Sequence, residues 1–110
     1  MSYEHDTTEN PADRVKTDEE LAEFFKEQCL KLLELLHKKR ADYGRENIRK
    51  FGLPGVLIRM FDKWERAWKL IEQCEDIGTS IEPHNESLED TFMDLMGYSL
   101  ISLAVLKGYW

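Results

Sequence analysis

Glu86, Asp90 and Asp94 stand four residues apart at the head of a long apolar C-terminal segment, with Asp94 inside Phe92-Met93-Asp94-Leu95-Met96. On a helix this spacing turns carboxylates only gradually around one side. Like charges at i,i+4 repel by about a few tenths of a kcal/mol per pair. Carrying them into an apolar helix asks for a nearby cation, either a basic side chain or a divalent metal. Mg²⁺ and Mn²⁺ take oxygen ligands, keep several waters and are commonly held by a few carboxylates together with substrate phosphates. Asp90 and Asp94, joined by Asp62 and Glu65 from another helix, have the ligand chemistry for such an ion. The plainer reading of the same spacing is a solvated or arginine-paired acidic face, with Asp62 and Arg66 as an intrahelical pair.

The basic residues leave the same choice open. Arg59, Lys63 and Arg66 could contact phosphates bridged by a metal, and Lys38-Lys39-Arg40 could face an anion. A solvated helix C-terminus with favourable dipole contacts accounts for that second cluster as well. His5, His37 and His84 have no ligand partner at i+4, and the chain carries no Gly-rich phosphate loop, nucleophile elbow or cysteine-nucleophile context. Trp64 and Trp68 read as core in preference to a base-stacking platform.

The elements that must position these groups are helices. Residues 1–16 lack apolar periodicity, carry Asn10-Pro11 and read as a loose arm ahead of a domain over 17–110. Thr17-Asp-Glu-Glu20 is a capping-box pattern. Leu21, Phe24, Phe25, Cys29, Leu32, Leu33 and Leu36 then recur at helical spacing to a stop near Tyr43, with Gly44 as the left-handed residue. A connector from Arg45 to Gly55 allows one helical turn near Glu46–Lys50. Pro54 suits the first turn of a second long helix, whose apolar face is expected to be Leu57, Met60, Phe61, Trp64, Ala67, Trp68 and Ile71. A polar loop over 76–85 leads to a third long helix, capped by Asn85 or Ser87 and running to about Lys107. Its first half should bury Leu88, Phe92, Leu95 and Met96; its second half is apolar all round and must be covered all round. No segment alternates with period two. The pattern predicts an all-α bundle of three main helices and one or two short ones, completed by oligomerisation as a homo-dimer or homo-tetramer.

Length and composition bound the function. The 110 residues suit one domain, and 15 basic against 22 acidic side chains leave a formal net charge of −7. Such a chain is a poor wrapper of duplex nucleic acid; a small anionic substrate stays open where a metal or basic cluster offsets the repulsion. Leu95–Leu106 falls short of the roughly 20 residues a membrane span needs. The polar, acidic N-terminus is no secretory signal, and Cys29 and Cys74 fit a reduced compartment. The expectation is a cytoplasmic protein.

Three ordered strings go further. They are Lys39-Arg-Ala-Asp-Tyr-Gly-Arg-Glu-Asn47, then Phe51-Gly-Leu-Pro-Gly-Val-Leu-Ile-Arg-Met-Phe-Asp-Lys-Trp-Glu-Arg66, then Glu86-Ser-Leu-Glu-Asp-Thr-Phe-Met-Asp-Leu-Met-Gly-Tyr98. Together, over residues 36–106, they resemble the phage and bacterial nucleotide-modification-associated domain family, with the pattern DYG…N, RxxDKxxR and ExxxDTxxDLxxY. That family looks like a relative of the MazG-like all-α NTP pyrophosphohydrolases. The resemblance implies hydrolysis of a (deoxy)nucleoside triphosphate to monophosphate and pyrophosphate with Mg²⁺ or Mn²⁺. It extends to dATP or dGTP and to phage nucleotide metabolism or DNA modification, in the host cytoplasm for a phage-borne chain. Asp62-x-x-Glu65 stands in the place of the first MazG-like metal motif, and Asp94 matches the aspartate of the second. Thr91 stands where that motif has a glutamate, which makes Asp90 the substitute. On this reading Asp62, Glu65, Asp90 and Asp94 are the catalytic metal ligands. Glu65 or Glu86 orients the water, and Arg59, Lys63 and Arg66 neutralise pyrophosphate. Asp42, Tyr43 and Asn47 hold the nucleoside. The competing expectation is a non-catalytic helical module that binds a nucleotide or a protein.

Overall fold

The computed structural model describes residues 15–44, 46–82 and 85–110, so all but the last two residues of the expected arm lie outside the described residues. The described residues form four helices and no strand: α1 (Asp18–Tyr43), α2 (Glu46–Arg49), α3 (Gly52–Asp76) and α4 (Glu86–Lys107). The all-α expectation of three long helices and a short one is met, with α2 at the expected connector turn. The chain divides into two units, residues 1–31 and 32–110, with the division inside α1.

In the first unit, the Thr17 hydroxyl accepts from the Glu20 amide at 3.2 Å. Asp18, Glu19 and Glu20 fill the first turn, where the helix dipole favours acids. The apolar stripe is uncovered here: Leu21, Phe24, Phe25 and Cys29 are each exposed, and the two phenylalanine rings lie 6.2 Å apart.

In the second unit, α1 stops at Gly44, whose φ of 70° is one an L side chain rarely adopts. Asn85 caps α4 by accepting from the Leu88 amide at 3.0 Å. The most extensive helix pairing is α3 with α4, and α2 packs on α3. Ile48, Val56 and Ile101 form the centre of the core, with Leu36, Met60, Tyr98, Val105 and Trp110 packed around it. Gly97 of α4 faces Leu32 and Leu36 of α1. A Cβ there would meet Leu36 Cδ2 at 3.6 Å and Leu32 Cδ1 at 3.7 Å.

Two apolar faces differ from expectation. On α3 the buried line is Val56 and Ala67 with Met60 half-buried, while Leu57, Phe61, Trp64 and Trp68 are each more than half exposed. The apolar arc of α3 is wider than one partner helix can cover, and α4 takes the side whose small residues let the axes approach. On α4 the buried line is Leu88, Thr91, Gly97 and Ile101. Phe92 and Met96, expected inside, are exposed in the single chain. Trp64 and Trp68 are therefore not core residues of one chain.

The contact at Gly97 is testable. Gly97→Ala should keep or raise stability, by up to ~1 kcal/mol from helix propensity. Gly97→Leu should cost about 1–3 kcal/mol by overpacking, read from denaturant unfolding.

Candidate functional site

Asp94 lies on the inward side of α4, its side chain 17% exposed. Its Oδ1 is 3.3 Å from Lys39 Nζ of α1, and its Oδ2 is 2.9 Å from Lys63 Nζ of α3. Three helices thus send a charged group to one point. The sequence places them there by register: Tyr98 follows Asp94 by one helical turn, and Lys39 sits 5.2 Å from the centre of its ring.

Beside this triad a cavity of about 290 Å³ is lined by Lys39, Gly44, Asn47, Ile48, Arg59, Tyr98, Ile101 and Trp110. Arg59 Nη2 donates to Asn47 Oδ1 at 2.6 Å, which fixes the guanidinium at the cavity wall. Arg49 donates through Nε and Nη2 to the main-chain oxygen of Trp110, at 3.3 Å each, and Arg40 lies 5.4 Å from the Trp110 ring centre. A second cavity of about 390 Å³ shares Asn47, Ile48 and Arg59 and continues over Phe51, Pro54, Val56 and Ile58. Cations at the rim, an apolar floor and two aromatic rings suit an anion carried on a flat organic group.

The expected site residues separate into two sets. Asp94, Lys63, Arg59 and Asn47 come together around the triad and cavity. Asp62, Glu65 and Arg66 do not: they are exposed on α3, along a shallow groove with Trp64, Trp68 and Lys69. Neither Asp62 nor Arg66 forms an ion pair with a described residue, so the intrahelical pair is not made. Asp90, Glu86 and Asp42 are exposed, and the Tyr43 side chain lies outside the described residues.

Asp62, Glu65, Asp90 and Asp94, the expected ligands of Mg²⁺ or Mn²⁺, do not meet at one point among the described residues of the single chain. Among the described residues no three His, Cys, Asp or Glu side chains gather, and both Asp94 oxygens already face ammonium groups. The reason lies in α4. Thr91 is 1% exposed, with its hydroxyl donating to the Ser87 carbonyl at 2.6 Å. Position 91 therefore lies in the seam about 60° to one side of Asp94, whereas Asp90 lies about 40° to its other side and is exposed. A shift of one residue cannot carry a carboxylate into the seam.

Tyr98, Trp110 and Arg49 received no role from the sequence. Tyr98 could have been found, since it closes the third motif one turn beyond Asp94. Trp110 and Arg49 meet across 61 residues and left no local signal.

Against protein-family models, curated proteins and solved structures, the chain finds no match. No helix among the described residues is long and apolar enough to cross a membrane.

Removing Asp94 leaves two ammonium groups facing each other. Asp94→Ala should cost about 1–2 kcal/mol in urea unfolding, between the ~0.2–1 of an exposed pair and the ~3–5 for breaking a buried one. Raising salt should narrow the difference from wild type by screening the exposed part of that repulsion.

Proposed function

We propose that the cavity bordered by Lys39, Asn47, Arg59, Tyr98 and Trp110 binds a nucleoside triphosphate, and that the chain is a pyrophosphohydrolase releasing pyrophosphate and a monophosphate. The observation that carries this reading is a cavity lined by Lys39, Arg59 and Asn47 together with Tyr98 and Trp110, in which Arg59 is held by Asn47 and Lys39 shares Asp94 with Lys63. Phosphoryl transfer asks a protein mainly for positioning and for fixed positive charge around the phosphates. Lys39 and Lys63 supply two mobile ammonium groups, and Arg59, held by Asn47, supplies a planar fork. Tyr98 and Trp110 offer faces to a base.

A triphosphate competes with Asp94 for the two lysines. Drawing them onto phosphate oxygens leaves the Asp94 carboxylate as the acceptor for a proton from water. The water oxygen bonds to the α-phosphorus as the bond to the α–β bridging oxygen breaks, and pyrophosphate departs with that oxygen. The divalent ion implied by the resemblance would enter as the metal–triphosphate complex, because the described side chains of one chain gather no ligand set for it. Free nucleotides of the cytoplasm are the expected substrates, with deoxypurine triphosphates the first to try. Association of like chains belongs to the same reading and is supported by the apolar residues left uncovered.

One observation favours a second reading, a non-catalytic helical binding module: the exposed ring ladder Phe61, Trp64 and Trp68, with centroid spacings of 6.4 and 5.8 Å.

Thermal shifts with a nucleotide panel separate the two. A triphosphate at a hundredfold excess over its Kd should add about 2.7 kcal/mol of apparent stability. Arg59→Ala and Lys39→Ala should lose most of that shift. Asp94→Asn should lower pyrophosphate release, assayed with Mg²⁺ or Mn²⁺, by about 10²-fold or more, as for a general base. Full activity in Asp94→Asn would sink the catalytic role, and no shift with any nucleotide would leave the binding module.

A further inference from the structure

Asn47 and Arg59 line both of the cavities beside the triad. A guanidinium has five donors and no acceptor. The 2.6 Å bond to Arg59 therefore fixes which way the Asn47 amide is turned. Oδ1 faces Arg59, and Nδ2 with its two hydrogens is directed away from it. Nδ2 has no hydrogen-bond partner among the described residues. A free amide offers a ligand a donor and an acceptor side by side; this one has its acceptor engaged by a cation. A ligand N–H that approached the second lone pair of Oδ1 would meet the positive guanidinium alongside it.

The other side chains at the first cavity repeat this polarity. Lys39 and Arg59 only donate, as does an indole such as that of Trp110. Ile48 and Ile101 are apolar, and the Tyr98 hydroxyl alone both donates and accepts. No carboxylate lines the cavity, and Asp94 beside it is engaged by two ammonium groups. The second cavity adds Phe51, Pro54, Val56 and Ile58, which bring no polar side-chain group. Phosphates satisfy the cationic donors, which leaves the donor edge of Asn47 for the rest of a nucleotide. Bases differ most at one exocyclic group, an acceptor oxygen in guanine and thymine and a donor amine in adenine and cytosine.

We infer that Asn47 is a specificity-determining residue that selects nucleotides with an oxo base, a 6-oxopurine or a 4-oxopyrimidine, over the matching amino bases. Its Nδ2 donates to the exocyclic oxygen, whereas an amino base sets donor against donor. The inference rests on the triphosphate reading of the cavity and adds to it the class of base that is taken. Between the dATP and dGTP to which the resemblance extends, the amide favours dGTP. Asn47 is exposed, so a mismatched base leaves its amide to water and not buried without a partner. The preference is therefore about tenfold, and not the ~10⁴-fold of a closed site whose polar groups are stranded by the wrong ligand.

Titration calorimetry of the whole chain with Mg²⁺ and α,β-methylene triphosphates, which cannot release pyrophosphate, tests this. The analogues of dITP and dATP form one pair, and those of dUTP and dCTP another. Within a pair the sugar and phosphates are the same and the exocyclic group changes from oxo to amino. In whichever pair binds, the oxo member should bind about tenfold tighter. Asn47→Asp keeps an oxygen toward Arg59 and turns the outward donor into an acceptor, so the ratio should fall to about one or reverse. The added negative charge weakens both members alike and cancels in the ratio. Asn47→Ala should level the ratio without favouring the amino base, and helical circular dichroism checks that each variant folds. A purely structural Asn47 would move all the Kd values together and leave the ratio as it is in wild type, which overturns the inference. Equal affinities in wild type, or a preference for the amino base, overturn it as well and leave the triphosphate reading standing. Failure of all four analogues to bind overturns both.

Discussion

Asp94 is the joint on which the second unit depends. One carboxylate on α4 compensates an ammonium from α1 and another from α3, so the charge that could not stand alone in an apolar helix is also what ties three helices. Coulomb attraction is weak in water and grows as water is excluded. The pair gains from the low exposure of Asp94 and loses from the freer Lys63. The apolar core of Ile48, Val56 and Ile101 is small, which raises the share that this charged joint must supply. It also fixes where the cavity opens, because Lys39 serves both the triad and the cavity wall.

α3 divides its work by face. The inward line of Val56, Met60, Lys63 and Ala67 meets α4 and the triad, and Arg59 borders the cavity. The outward line holds the ring ladder and its charged flank. A helix in a complete bundle covers its apolar arc with neighbours of its own chain; here the arc exceeds what α4 covers. Burying a tryptophan face is favourable by roughly 25 cal/mol per Å², so leaving two of them half exposed forgoes stabilisation that an assembled state can recover. The uncovered leucines and phenylalanines of the first unit make the same point separately.

Much of this was legible in the residues. Helix ends followed from local chemistry at Thr17, Gly44 and Asn85, where a hydroxyl, a missing Cβ and an amide each do a job that needs no distant partner. The importance of Asp94 followed from the cost of its surroundings. Which arc of α3 faces inward did not follow, because Val56–Ala67 and Leu57–Trp68 are both apolar lines at helical spacing. Only the packing partner decides between them. Asp62 and Asp90 join Asp94 in the sequence through ligand chemistry and a motif resemblance, and both depend on the rotation of each helix about its axis. A single-residue shift, from Thr91 to Asp90, changes that rotation by about 100°. The partner of Arg49, 61 residues away, had no local signature at all.

The two lysines link the structural and the functional reading. A cation that only stabilised the fold would serve best with its charge fully used, and one that only bound ligand would serve best unpaired. Lys39 and Lys63 are between these limits: each pairs with Asp94 through one oxygen, and their side chains remain 22% and 33% exposed. An anion arriving at the cavity meets positive groups already gathered, so their ordering cost has been met by folding. It must still compete with a carboxylate for them. A singly charged phosphate ester offers little over Asp94 in that exchange, whereas a triphosphate brings several oxygens and more charge to the same two ammonium groups and to Arg59. The arrangement therefore selects for highly charged ligands by making a resident carboxylate the competitor, and the same exchange exposes that carboxylate to water when such a ligand binds.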